Sequence, residues 1–135
     1  MATSSQRRAH SRRLARVVRL AADVMDSRGR AHGVVLGVDG KVDVTGAIAL
    51  ALDWSESQIE GKGMITGPWT NSRGSISLKA AKAHNEYEEC LQLLNEYVDT
   101  HDIARGISRF SDNARNKRQV TSLLRKAATW IEERD

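Results

Sequence analysis

Three stretches of the chain repeat apolar residues at the three- and four-residue spacing of an α-helix, and they restrict its folding more than any other feature. They are Leu14, Val17, Val18, Ala21, Val24 and Met25; Tyr87, Cys90, Leu91, Leu94, Tyr97 and Val98; and Val120, Leu123, Leu124, Ala127 and Ile131. Stripes of this kind must be buried against one another, so a largely helical core is expected. Gly29 is placed to stop the first helix. The second is predicted over Leu78–Val98, with Ser77 as its N-cap and a central place in the core. The third is predicted over Lys117–Glu133, with Asn116 and Gln119 at capping-box spacing and Trp130 beside the stripe.

Between the first two helices lie Val34, Val35, Leu36 and Val38, then Asp39-Gly40, then Val42 and Val44. An Asp-Gly pair between apolar runs predicts a two-stranded hairpin, because a type I′ turn needs positive φ at both central residues. In that register Val38 faces Lys41, Val35 faces Val44, and Val35, Val42 and Val44 form an inward face. A lone hairpin is marginal in water, so the first helix and the small-residue segment Ala47–Leu52 are its expected covers. The expected fold is therefore α+β and predominantly helical, with three to four helices packed against one two-stranded antiparallel hairpin. Residues 1–10 read as a disordered basic N-terminus, residues 11–135 as one globular domain, and residues 55–76 as a long loop.

At 135 residues the chain has the size of a single domain, and 40% hydrophobic with 28% charged residues is a globular composition. Arg12, Arg13, Arg16, Arg19 and Asp23 interrupt every apolar stretch near the start, so neither a signal peptide nor a membrane span is expected. Cys90 is the only cysteine and cannot form an internal disulfide, which fits a cytoplasmic protein. Its position on an apolar stripe reads as a buried small residue rather than a nucleophile.

Charge is unevenly placed. Residues 1–30 carry eight arginines against two aspartates, residues 31–101 carry five cations against ten acids, and residues 102–135 carry eight cations against five acids. Basic ends around an acidic middle suit either a nucleic-acid binder or a surface complementary to a protein, and equally describe solvated helix faces. Arg19 and Asp23, four residues apart, are placed to pair along the first helix.

Motifs for chemistry are sparse. His10, His32, His84 and His101 are scattered, and with one cysteine they make no zinc signature, so no metal site or cofactor is expected. Gly37–Lys41 and Gly61–Gly63 lack the glycine, lysine and Ser/Thr spacing of a phosphate loop. No Gly-x-Ser-x-Gly context supports a nucleophilic serine. Asp112-Asn113 reads as the turn before the last helix.

The blocks RAHGVVLGVDGKVDVTGAIALAL and ISRFSDNARNKRQVTSLLRKAA, within residues 14–54 and 84–130, resemble an uncharacterised family of small proteins from actinobacteria and their phages. Members of that family often read Gly-Trp-Cys-Gln-Gly where this chain has Arg30, Ala31, His32 and Gly33, and Val-Cys where it has Val42 and Asp43. A Trp-Asn-Asp run corresponds to Phe110, Ser111 and Asp112. Both family cysteines are replaced, so the resemblance implies a shared fold and argues against thiol chemistry.

Two functional readings follow. In the first, the chain is a non-enzymatic adaptor or modulator, phage or mobile-element encoded, that binds a host or virion protein. Its binding residues are then Met64, Ile65, Pro68 and Trp69 in the glycine-rich loop, where tryptophan and proline suit an interface anchor. A purely structural role for Trp69, pinning the loop to the core, competes with that reading. In the second, Arg7, Arg8, Arg12, Arg13, Arg16 and Arg19, joined by Arg115, Lys117 and Arg118, neutralise nucleic-acid phosphates. With 4% aromatic residues, backbone contacts would dominate over base stacking. Long amphipathic helices are also compatible with a homo-oligomer.

Overall fold

The computed structural model describes residues 3–31, 37, 39–53 and 78–134. Among them the chain forms five helices: α1 (Ser4–Arg28), α2 (Val44–Ala51), α3 (Leu78–Thr100), α4 (Ile107–Asn113) and α5 (Lys117–Glu133). Neither a strand nor a sheet occurs among the described residues, so the expected α+β class is corrected to a helical one.

The α1 helix starts at Ser4, earlier than the expected onset near Ser11. Thr3 explains the early start. Its hydroxyl accepts from the Gln6 N–H at 3.1 Å while the Gln6 side chain accepts from the Thr3 N–H at 2.8 Å, a complete capping box. Gly29 ends the helix as anticipated, at φ +91° with its N–H on the Met25 carbonyl at 2.7 Å. Of the apolar stripe Leu14, Val17, Val18, Ala21 and Met25 are buried and Val24 is partly buried, and Ala15 and Ala22 widen it.

The hairpin fails at its register. Gly40 has positive φ and Asp39 does not, which excludes a type I′ turn at Asp39-Gly40. The Gly40 N–H instead donates to the Gly37 carbonyl at 3.0 Å, and the Gly37 N–H to the Lys41 carbonyl at 2.8 Å, so Gly37 rather than Val38 pairs with Lys41. Val42 then forms a single parallel bridge with Arg30, through Val42 N–H to Gly29 O at 3.0 Å and Ala31 N–H to Val42 O at 2.9 Å. A return strand has no length in which to form. Asp43, expected on its outer face, accepts from the Gly46 N–H at 2.9 Å and caps α2, so Val44 is already helical. Val42 and Val44 do point into the core as expected; Val34, Val35, Leu36 and Val38 lie outside the described residues.

The core is organised on α1, not on α3 as anticipated. α5 packs along α1 over its length, α2 crosses it with Ala47, Ile48 and Ala49 buried, and α3 touches each of the others more sparingly. Tyr87, Cys90, Leu94, Tyr97 and Val98 of α3 are buried, as are Val120, Leu123, Leu124, Ala127 and Ile131 of α5. Lys117 of α5 lies beside Asp26 of α1 and Glu132 beside Arg19, so the two helices run antiparallel. Asn116 caps α5 by accepting from the Gln119 N–H at 3.0 Å, while Gln119 reaches back to the Arg115 N–H.

α4 was not anticipated. Asp112 and Asn113 form its last turn rather than a connecting turn. Gly106, at φ +118°, supplies no side-chain cap; Asn95 of α3 does so instead, accepting from the Ile107 N–H at 2.8 Å. That bond spans two helices and orients α4 on the end of the bundle.

Leu124 is fully buried between the packed helices and Leu20 is 44% exposed on the opposite face of α1. Leu124→Ala is expected to lower unfolding free energy by about 2–5 kcal/mol. Leu20→Ala is expected to stay within about 0.5 kcal/mol of the parent by chemical denaturation.

Candidate functional site

The cationic residues singled out from the sequence do not form one surface. Arg8, Arg12 and Arg16 follow one another at four-residue spacing along the solvent face of α1, and Arg7 lies in the same first turns. Arg13 donates to the buried carboxylate of Glu86 on α3. Arg19 donates to Glu132 of α5 at 2.6 Å rather than pairing with Asp23. Asp23 and Asp26 are taken by Arg125, at 2.9 and 2.6 Å. The paired arginines thus tie helices together.

Arg115, Lys117 and Arg118 sit at the far end of the molecule. Lys117 donates to the Asp26 carbonyl at 3.0 Å, and Asp26 is ten residues, about 15 Å of helix, beyond Arg16. The other predicted contact residues, Met64, Ile65, Pro68 and Trp69, and the whole of residues 55–76 lie outside the described residues.

The blocks that carry the family resemblance converge where sequence spacing could not show it. The Arg30 guanidinium donates to the Ser111 carbonyl at 2.7 Å, while Asp43 and Asp112 border one small cleft with Thr45, Ser108 and Ser111. The Asp43 carboxylate is occupied there by the Gly46 N–H and by the Thr45 hydroxyl at 2.7 Å. Burial raises its pKa above 3.8 and the nearby Asp112 adds to the rise, against the lowering effect of those two hydrogen bonds. The cleft is thereby explained as a helix cap held beside a second acid. No group of three or more His, Cys, Asp or Glu positioned to hold a metal occurs among the described residues.

A larger feature went unseen in the sequence because it is built from three elements. A groove of about 480 Å³ lies between the end of α3, the following loop, α4 and α5. Tyr97, Phe110, Leu123 and Ile103 form its apolar surface, with Ile103 42% exposed. Arg118 and Lys126 border it from α5, and neither makes a side-chain hydrogen bond or ion pair among the described residues. No acid lines it. Behind it Tyr97 is held by His101 at 4.3 Å and edge-on by Trp130 at 5.5 Å, with Arg134 over the Trp130 ring at 4.7 Å.

Cys90 is fully buried on α3, and burial, reinforced by the charges of Glu86 and Glu89, pushes its thiol up to about 12. A nucleophile needs the thiolate. The thiol is therefore expected to resist a disulfide reagent at mildly alkaline pH in the native protein and to react fully in denaturant. Native reactivity equal to that of a free thiol would contradict this placement.

Asp43 offers a pH test. With its folded pKa raised, ionisation costs stability; the loss begins as pH rises through 3.8 and is complete above the folded value. Asp43→Asn keeps an accepting oxygen for the cap and abolishes this titration. Its stability relative to the parent is expected to increase across that window and level off above the folded value, as read from denaturation midpoints at each pH.

Comparison with known proteins gives one match. A family model described as a family of unknown function (DUF6197) matches residues 9–129. No curated protein and no solved structure matches the chain. No helix among the described residues is long and apolar enough to cross a membrane.

Proposed function

We propose that this chain, which belongs to the family of unknown function DUF6197, acts as a non-enzymatic adaptor or modulator by binding a protein partner. The observation that carries the reading is the groove between α3, α4 and α5. It combines the exposed Ile103 with two cations, Arg118 and Lys126, that make no side-chain hydrogen bond or ion pair among the described residues. Fixed apolar contact area beside unsatisfied charge is the composition of a recognition surface, where buried anchors supply affinity and charges at the rim supply orientation. The resemblance to small actinobacterial and actinophage proteins points to a host or virion protein as the partner, met in the cytoplasm.

The nucleic-acid reading keeps one supporting observation, the solvent-facing row of Arg8, Arg12 and Arg16. With Arg13 and Arg19 engaged elsewhere, that row neutralises about three phosphates and implies a log-log salt slope near −3. So few contacts make a weak site.

A photo-reactive residue placed at Ser122, on the groove edge, and another at Ala9, within the arginine row, separates the readings in the cells that produce the protein. The expected result is a discrete protein adduct from Ser122 and no nucleic-acid adduct from Ala9. Absence of any protein adduct at Ser122, or a nucleic-acid adduct at Ala9, would overturn the proposal.

A further inference from the structure

Resting on the protein-binding reading, we propose that the groove takes an acidic amphipathic helix of the partner, its apolar stripe on Ile103, Phe110 and Leu123 and its carboxylates on Arg118 and Lys126. Arg118, Ser122 and Lys126 follow at four-residue spacing on one face of α5, which places the two cations about 12 Å apart along the helix. A second helix laid along α5 matches that separation with carboxylates seven or eight residues apart. Between them, apolar residues at the third and fourth positions fall over the apolar surface, the spacing by which a helix is read in a groove.

Charge selects the occupant. Among the described residues the groove surface carries cations and no acid, so a complementary segment must bring negative charge together with apolar side chains. A second copy of this chain does not qualify. Its exposed large apolar side chains among the described residues are Ile103 and Leu20; Ile103 lies in the cationic groove itself, and Leu20 lies among Arg13, Arg16 and Lys82 with only Asp53 and the Arg13-paired Glu86 as acids, so either would set mainly positive charge against positive. Nucleic acid brings the charge without the fit. Tyr97 is buried against His101 and Trp130, which leaves the half-buried Phe110 as the single accessible ring of the groove among the described residues, poor provision for base stacking.

The probe is a fluorescent, terminally capped helical peptide with two glutamates seven residues apart and leucines at the third and fourth positions between them, titrated against the full chain at low and physiological salt. Saturable binding is expected, weakened at least about tenfold by the double variant Arg118→Glu and Lys126→Glu. A peptide with lysine in place of both glutamates should bind that double variant and not the parent. Ile103→Asp should abolish binding while the variant still unfolds in one cooperative transition well above the assay temperature, since the side chain is 42% exposed. The proposal is overturned by no binding, by binding indifferent to either set of substitutions, or by equal binding of a scrambled acidic peptide. It is also overturned if the protein crosslinked at Ser122 contacts the groove through a segment that is neither acidic nor helical, an outcome that leaves the protein-binding reading itself intact.

Discussion

The antiparallel packing of α5 along α1 is the interaction on which the rest of the molecule depends. α1 buries an unbroken surface from Leu14 to Met25, and α5 meets it with Val120, Leu124, Ala127 and Ile131. Burial of this apolar surface is the main driving force, at about 25 cal/mol per Å² removed from water. The ion pairs along the seam, Arg19 with Glu132 and Arg125 with Asp23 and Asp26, are solvent-exposed and each contributes little, typically about 0–1 kcal/mol. Their effect is on register: with α5 slid by a turn, these five groups would lose their partners.

From this seam follows the distribution of charge left for binding. Arginines whose geometry faces a neighbouring helix are spent on structure, as with Arg13 against Glu86 and Arg19 against Glu132. Two further cationic stretches face solvent, the row on the outer face of α1 and the Arg118 to Lys126 stripe of α5. Arg16 of the first has Leu20 beside it but shares that surface with Asp53 and Glu86, whereas the second joins apolar surface to cations with no acid among the described residues. That coincidence depends on α4, which Asn95 of α3 holds through the Ile107 N–H, bringing Phe110 to face Leu123 across the groove.

Local signals were read well where they were strictly local. Gly29 stops α1, Asn116 starts α5, and the buried stripe of α5 contains every residue that its periodicity marked. Asp39-Gly40 was a weaker signal than it looked. The same dipeptide serves a two-residue turn or, with glycine alone in the left-handed region, a longer one, and moving the pairing from Val38 to Gly37 turns the return strand into a single bridge. Asp43 was equally ambiguous, polar enough for a strand's outer face and well suited to an N-cap; tertiary burial of Val44 through Ala49 favoured the helix.

The sequence by itself determined which residues enter the core and where three of the helices run, because both follow from apolar spacing within a few turns. Tertiary structure alone decided which helix is the hub, which arginines are spent in ion pairs, and that Tyr97, Ile103, Phe110 and Leu123 share one groove with Arg118 and Lys126. These outcomes depend on the distances between elements and on the direction in which each helix crosses its neighbours. No periodicity within a single element encodes them.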